Sequence, residues 1–257
     1  MKYTVLVNPR FSHTTVGTLA RATVQFGIPD AGDVIYRGRN ILVRLRGENI
    51  VIKAFGVPDI VKGSIYGHLR HSKAHRAYRN ALRLRAMGLP TPEPYFAGEE
   101  RNALGMLRRS YYACAALDGW RELRGVEKEP DFPALARALA EFVFLLHSKG
   151  VYMVDFTPGN VLYRREGGEY RFMLVDINRM YFDVDDWNIL FNNFRAMLDT
   201  PEGVAAVARE YARVLERSNI YHTLGNIEEE LVDLYNRHIA NLLRRRKFKN
   251  LFRRNKK

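Results

Sequence analysis

A single cysteine, Cys114, stands in 257 residues. That excludes an intrachain disulfide and any cysteine-built metal cluster, and it suits a reducing compartment. No apolar run approaches the roughly 18 residues needed to span a bilayer. The apolar start, Met1 to Val7, is too short for a secretion signal and is broken by Asn8 and Pro9. A cytoplasmic protein, or one attached to a cytosolic face, is expected. Internal repeats and low-complexity blocks are missing, which argues against a solenoid or an extended disordered chain. The sequence also lacks a G-x-G-x-x-G phosphate loop, and it has neither Asp nor Glu from Ile60 to Pro92. With 47% hydrophobic residues, the chain can still bury one large core or two lobes of ordinary size.

Acids are missing from the C-terminal end too. Residues Arg237 to Lys257 hold ten Lys plus Arg and no acid, whereas the whole chain carries a net charge of +13. Most of the excess charge therefore sits in this tail. Its cations are interleaved with Leu242, Leu243, Phe248, Leu251 and Phe252, which suits a peripheral helix on an anionic membrane. Nucleic acid attracts such charge equally well, so the residues leave both partners open. A solvated, disordered end is the plain alternative.

What is present concentrates in Asp155-Phe-Thr-Pro-Gly-Asn160, followed sixteen residues later by Asp176 in the run Phe172 to Ile177. An acid, an amide five residues on and a second acid in an apolar run form the arrangement of a phosphotransferase. One carboxylate deprotonates the attacking hydroxyl, and the amide and second carboxylate hold a divalent cation against phosphates. The Asp155 to Asn160 spacing equals that of H-R-D-L-x-x-x-N, with Met153 and Val154 in place of His and Arg. Taken alone, Asp155 and Asn160 read as turn formers, so the surrounding order matters. Asp131 and Pro133 predict a helix start; Leu135, Leu139, Phe142 and Leu146 recur at helical spacing, and Gly150 predicts the stop. Beyond the loop, Val161 to Tyr163 and Phe172 to Val175 predict strands around a turn at Glu166 to Glu169.

In the first half, Asn40 to Leu45 and Asn49 to Lys53 predict paired strands around Arg46 to Glu48. Lys53 closes the run I-V-I-K, much like the V-A-I-K whose Lys contacts nucleotide phosphates. Upstream, Ile35 to Asn40 occupies the place of a phosphate loop but holds only Gly38, with Arg37 or Arg39 able to add charge. Ser72 as N-cap and Gly88 with Pro90 as terminators predict a helix over about 73–87. Lys73, Arg76, Arg79 and Arg83 share one face of it, read as solvated or as a surface for phosphates and acidic sugars. His68, His71 and His75 stand among these cations with no acid nearby, which disfavours a metal site.

These motifs, in this order over roughly residues 32 to 195, resemble the lipopolysaccharide core kinases of the Kdo/heptose type. The resemblance rests on Ile35 to Asn40, Ile52-Lys53, Ser72 to Ala74, Gly88 to Pro94, Asp155 to Leu162 and Val175 to Met180. It implies an α+β, two-lobed protein-kinase-like fold, with a β-rich N-lobe over 1–115, a mostly helical C-lobe over 116–240 and a basic tail over 241–257. It also implies ATP and Mg²⁺, with a lipid-linked sugar hydroxyl of the inner core as acceptor, which makes an anionic membrane the favoured partner of the tail and nucleic acid the less favoured one. Asp155 would be the base, Lys53 a catalytic phosphate contact flanked by Gly38 and Arg39, and Asn160 with Asp176 the metal ligands. One departure stands out. The helix after Lys53 should carry a Glu that pairs with it, yet Ala77 and Arg79 occupy the plausible positions. Lys53 is then expected to contact phosphate unaided or to borrow an acid such as Glu93, and a Glu introduced at Ala77 or Arg79 would supply the partner. A pseudokinase and an atypical protein or small-molecule kinase stay open as alternatives, the latter disfavoured because no A-P-E motif follows Asp176.

Overall fold

Strand alternation organises the first part of the chain. In the computed structural model, which describes residues 1–56, 71–218 and 226–254, with side chains as far as Arg245, the chain divides into two units. His68 and the side chains of Phe248, Leu251 and Phe252 lie outside the described residues. Unit one comprises Met1–Gly119 and Leu174–Arg179; unit two comprises Trp120–Met173 and Met180–Lys257.

Unit one is built on six antiparallel strands: β1 (Lys2–Val7), β2 (Gly32–Arg37), β3 (Asn40–Leu45), β4 (Ile50–Phe55), β5 (Pro94–Arg101) and β6 (Leu107–Ala115), in the order β1-β5-β6-β4-β3-β2. Because successive side chains of a strand point to opposite faces, Ile50 and Ile52 enter a core with Val16, Ala20 and Val24 of helix α1 (Thr15–Phe26). Lys53 falls on the other face. Gly98 lets α1 approach the sheet, since a Cβ there would lie 2.0 Å from Val24 Cγ2. One residue on, Glu99 turns to the face covered by helix α2 (Lys73–Ala86), which packs on β5 and β6. The predicted hairpin forms as β3 and β4, with Leu42 opposite Lys53 and the turn at Gly47, whose φ is +72°. β1 and α1 carry no motif, and nothing in their short apolar runs announced them.

Unit two contains β7 (Arg121–Glu122), β8 (Tyr152–Met153), β9 (Val161–Glu166), β10 (Glu169–Leu174) and β11 (Met180–Tyr181), paired as β10-β9-β7 and β11-β8. Its helices are α3 (Phe132–Ser148), α4 (Trp187–Leu190), α5 (Pro201–Arg217) and α6 (Ile227–Arg254). The four residues read at helical spacing, Leu135, Leu139, Phe142 and Leu146, are all buried, α5 packs on α3, and α6 packs on α5. Gly150, at φ +64°, ends α3, and Gly167 and Gly168 make the turn between β9 and β10. Asp131 departs from expectation. It stands at the N-cap of α3, but its side chain caps no helix amide, and the carboxylate instead takes the Tyr170 hydroxyl and the Arg165 guanidinium. Among the described residues no helix is long and apolar enough to cross a membrane.

Candidate active site

The register of unit one brings Lys53 to an acid. Lys53 lies opposite Tyr112 on β6, which lies opposite Ala97 on β5, a row on the face that α2 covers. From there Lys53 Nζ reaches Asp176 Oδ1 at 2.6 Å, with side-chain exposures of 15% and 36%. Partial burial makes such a pair stronger than an open surface bridge, because less water screens it. Asp176 has φ +54°, a left-handed conformation that Asp tolerates better than most residues. The same Oδ1 accepts from Asn178 Nδ2 at 2.8 Å. The segment around it is tied to unit one throughout. Leu174 N donates to Pro90 O, Thr91 Oγ1 donates to Leu174 O, Asn80 Nδ2 donates to Ile177 O and Arg76 Nε donates to Asn178 O.

More cations attend this pair. Lys73, half-buried in the first turn of α2, is held below the usual lysine range by burial, then by Arg39; Asp176 opposes the shift, and Arg76 and Lys53 add to it. Arg39, Lys53, Lys73 and Arg76 therefore act on one neighbourhood, which an oxyanion would relieve. In the sequence Lys73 belongs to the α2 charge run and to the Ser72 to Ala74 motif, and neither assigns it a role beside Lys53. Gly38 sits in the tight β2–β3 turn, where its N–H donates to Asn40 O at 3.0 Å.

Several expectations about Lys53 need correction. It already has a carboxylate partner in Asp176. Glu93 is committed to Asn8, Arg10 and Arg85. Ala77 is 3% exposed, so a Glu there would bury a charge against the sheet. Nor is the basic face of α2 uniformly solvated. Arg79 is exposed, whereas Arg76 is half-buried and spends its guanidinium on the carbonyls of Asn178 and His71. His75 is buried against Glu99, which also accepts from Ser72 N, while Ser72 Oγ caps α2 at His75 N. These contacts seat the start of α2 on β5.

In unit two, β8 leads directly into the Asp155 loop. Asn160 N donates to Thr157 O, and Asn160 Nδ2 donates to Asp155 O at 2.9 Å, closing the loop on itself. Phe156, 2% exposed, anchors it between the half-buried Asp155 and Asn160. Where the related motif has His and Arg, support comes from further along the chain. Asn193 Nδ2 donates to Met153 O at 2.6 Å, and its Oδ1 accepts from His147 Nε2 at 3.1 Å. With Nε2 donating, Nδ1 of a neutral imidazole is free to accept from Tyr211 Oη, at 2.6 Å.

Burial presses His147 down from 6.5 to about 4, partly opposed by the Asn193 hydrogen bond. The folded protein thus keeps His147 neutral until about pH 4, whereas the unfolded chain takes up that proton near 6.5. Unfolding binds a proton in this window, so stability present above it is lost as pH falls through it. We expect urea unfolding to show a loss of roughly 2–3 kcal/mol between pH 7 and 4.5 from this group. His147→Gln should flatten that slope; an equal slope in both proteins would remove His147 as its source.

Comparison with known proteins bears on the fold and the family. In solved structures the chain is similar to WaaP in complex with acyl carrier protein, at 18% identity, covering 90% of this chain and 99% of that one with a TM-score of 0.55. It is also similar to the Rio2 kinase–ADP/Mg²⁺–phosphoaspartate complex from Chaetomium thermophilum, at 17% identity, 89% and 67% coverage and a TM-score of 0.42. The first likeness shows a protein-kinase-like fold, with its β-sheet unit before its helical one. A comparison with curated protein sequences finds no match. The model of the lipopolysaccharide kinase (Kdo/WaaP) family matches residues 59–217, more than half of the chain, so the protein belongs to that family and is a kinase acting in lipopolysaccharide phosphorylation.

Proposed function

We propose that the protein transfers the γ-phosphoryl group of ATP, with Mg²⁺, to a Kdo or heptose hydroxyl of a lipid-linked inner-core acceptor. The family supports kinase activity and ATP use, and the observation that carries the residue assignment is the Lys53–Asp176 ion pair. Two side chains 123 positions apart meet, which puts the candidate phosphate lysine and the candidate metal-ligating acid of a kinase side by side.

The donor set fits a hard divalent cation, which prefers oxygen ligands. Both contacts to Asp176 fall on Oδ1, leaving Oδ2 uncommitted among the described residues. Asn160 spends its amide nitrogen on the Asp155 carbonyl, which leaves its amide oxygen as the ligand. Asp176 and Asn160 would hold the ion, which when bound neutralises charge on the nucleotide phosphates. Lys53, with Arg39 at the β2–β3 turn and Lys73, binds phosphate oxygens through charge, and Gly38 contributes the tight turn itself, its N–H being spent on Asn40 O. Asp155 accepts the proton of the attacking sugar hydroxyl, and the Asn160 bond to its own carbonyl keeps the loop in the conformation that presents it.

The tail belongs to the same reading. Leu242 and Leu243 are 38% and 52% exposed on α6, beside Arg244 and Arg245, so apolar and cationic groups reach solvent together, as on a helix docked to anionic lipid. The site would then work beside a lipid-linked acceptor on a cytosolic membrane face. Transfer from ATP to such an acceptor in anionic vesicles tests both points. The full chain should be active, and deleting Arg244 to Lys257 should lower the rate on vesicles but not on soluble core oligosaccharide. Raised salt should mimic the deletion, because charges screen over about 8 Å at 0.15 M. No transfer to any core acceptor would overturn the proposal. Binding of RNA in preference to vesicles would reassign the tail.

A further inference from the structure

The helix that lacks an acid for Lys53 carries donors for the chain beside Asp176. Arg76 and Asn80 stand one turn apart on α2 and so share a face. Asn80 Nδ2 donates to Ile177 O at 2.7 Å and Arg76 Nε to Asn178 O at 3.1 Å. These are the two carbonyls that follow Asp176, just after its φ of +54° has turned the chain. Asn178 is held at both ends, by Arg76 on its carbonyl and through its own Nδ2 on Asp176 Oδ1 at 2.8 Å. A continuous path of hydrogen bonds therefore runs from α2 through Asn178 to the carboxylate.

We propose that Arg76 and Asn80 are positioning residues for Asp176, and that this latch replaces the missing helix Glu. In protein kinases the helix acid aligns the phosphate lysine, so the helix position governs activity. Here the polarity is inverted. Cationic and amide donors on α2 grip the segment bearing the acid, and the acid in turn holds Lys53. The absence of Asp and Glu from Ile60 to Pro92 then costs no alignment, because α2 acts on Asp176 and reaches Lys53 through it. Both grips on the carboxylate, from Lys53 and from Asn178, fall on Oδ1 and set the direction of Oδ2. A left-handed residue is strained by on the order of 1–3 kcal/mol and keeps its conformation only when its surroundings over-determine it; the two carbonyl bonds supply that determination. The inference rests on Asp176 being the metal ligand of the proposed function.

The test uses Asn80→Asp, which keeps shape but loses the donor; Arg76→Met, which keeps length but loses the charge and all donors; and Arg76→Lys, which keeps charge and one reach. Outer-shell partners of a metal ligand typically contribute 10–100-fold to metal affinity or activity. We expect Asn80→Asp and Arg76→Met each to raise the Mg²⁺ concentration for half-maximal activity by about 10–100-fold. Calorimetry should show the same weakening of Mg²⁺-dependent ADP binding without turnover, with ADP affinity in the absence of metal unchanged and Arg76→Lys falling between. A merely structural role would lower Tm and total activity in proportion while leaving the Mg²⁺ requirement alone, and that result would overturn the latch. Asp176→Asn, run in parallel, separates the two claims. If it retains the wild-type Mg²⁺ requirement, the metal assignment itself fails. If it loses that requirement while the α2 variants keep theirs, only the latch fails.

Discussion

Replacing Asp155 with Asn should lower phosphate transfer by about 10²–10⁴, the usual worth of a positioned general base, while leaving the fold intact. The bond that closes the loop uses the backbone carbonyl of residue 155, which the substitution keeps, and Phe156 remains buried beside it. Asn has the size of Asp but cannot accept the proton of a sugar hydroxyl. Affinity for Mg²⁺ and ATP should stay near wild type, because the metal ligands and Lys53 are untouched. The loss should therefore fall on kcat with KM for ATP spared. Full turnover in this variant, with a verified acceptor, would remove Asp155 as the base.

Asp176→Asn should be similarly severe for a different reason. Asn tolerates the left-handed φ of +54° found there, so the backbone has no new strain to accommodate. What is lost is the charge. Lys53, 15% exposed, loses its carboxylate partner, and the cation loses an anionic ligand. Transfer should fall on the order of 10²–10³, as when one electrostatic stabiliser of a transition state is removed, and ATP binding should lose its dependence on Mg²⁺. This separates the two acids, since one variant spoils chemistry alone and the other spoils metal-dependent binding as well. Undiminished Mg²⁺-dependent binding in Asp176→Asn would contradict the assignment.

Much of the site was legible because its parts are local. Asp155 to Asn160 is a fixed spacing in one loop, α3 announced itself by Leu135, Leu139, Phe142 and Leu146, and the β3–β4 hairpin by two β-branched runs around Gly47. What stayed hidden is non-local. Arg76 and Asn80 meet the Asp176 segment across 102 and 97 positions, and Asn193 meets Met153 across 40. No periodicity or spacing marks a helical Arg that will donate to a distant carbonyl, so Arg76 reads as one more cation on a face open to solvent or to phosphates. The missing helix Glu, taken as a gap around Lys53, was legible as an absence, but its remedy was not. Asp176 was assigned to metal, and only the pairing of β4 with β6 and the seating of the Asp176 segment in unit one bring it to Lys53. Asp131 failed for the converse reason. Its sequence context fits a cap, but Tyr170 and Arg165 claim its carboxylate once the β9–β10 hairpin folds.

The most direct test of the central claim, a kinase of lipopolysaccharide core that works through Asp155, is phosphate analysis of core oligosaccharide by mass spectrometry. It compares a strain deleted for this gene with the same strain carrying the wild-type or the Asp155→Asn protein. The account predicts that deletion removes phosphate from a Kdo or heptose, that the wild-type protein restores it, and that Asp155→Asn, present at an equal level, does not. Core phosphate unchanged by deletion, or restored by Asp155→Asn as fully as by wild type, would contradict it.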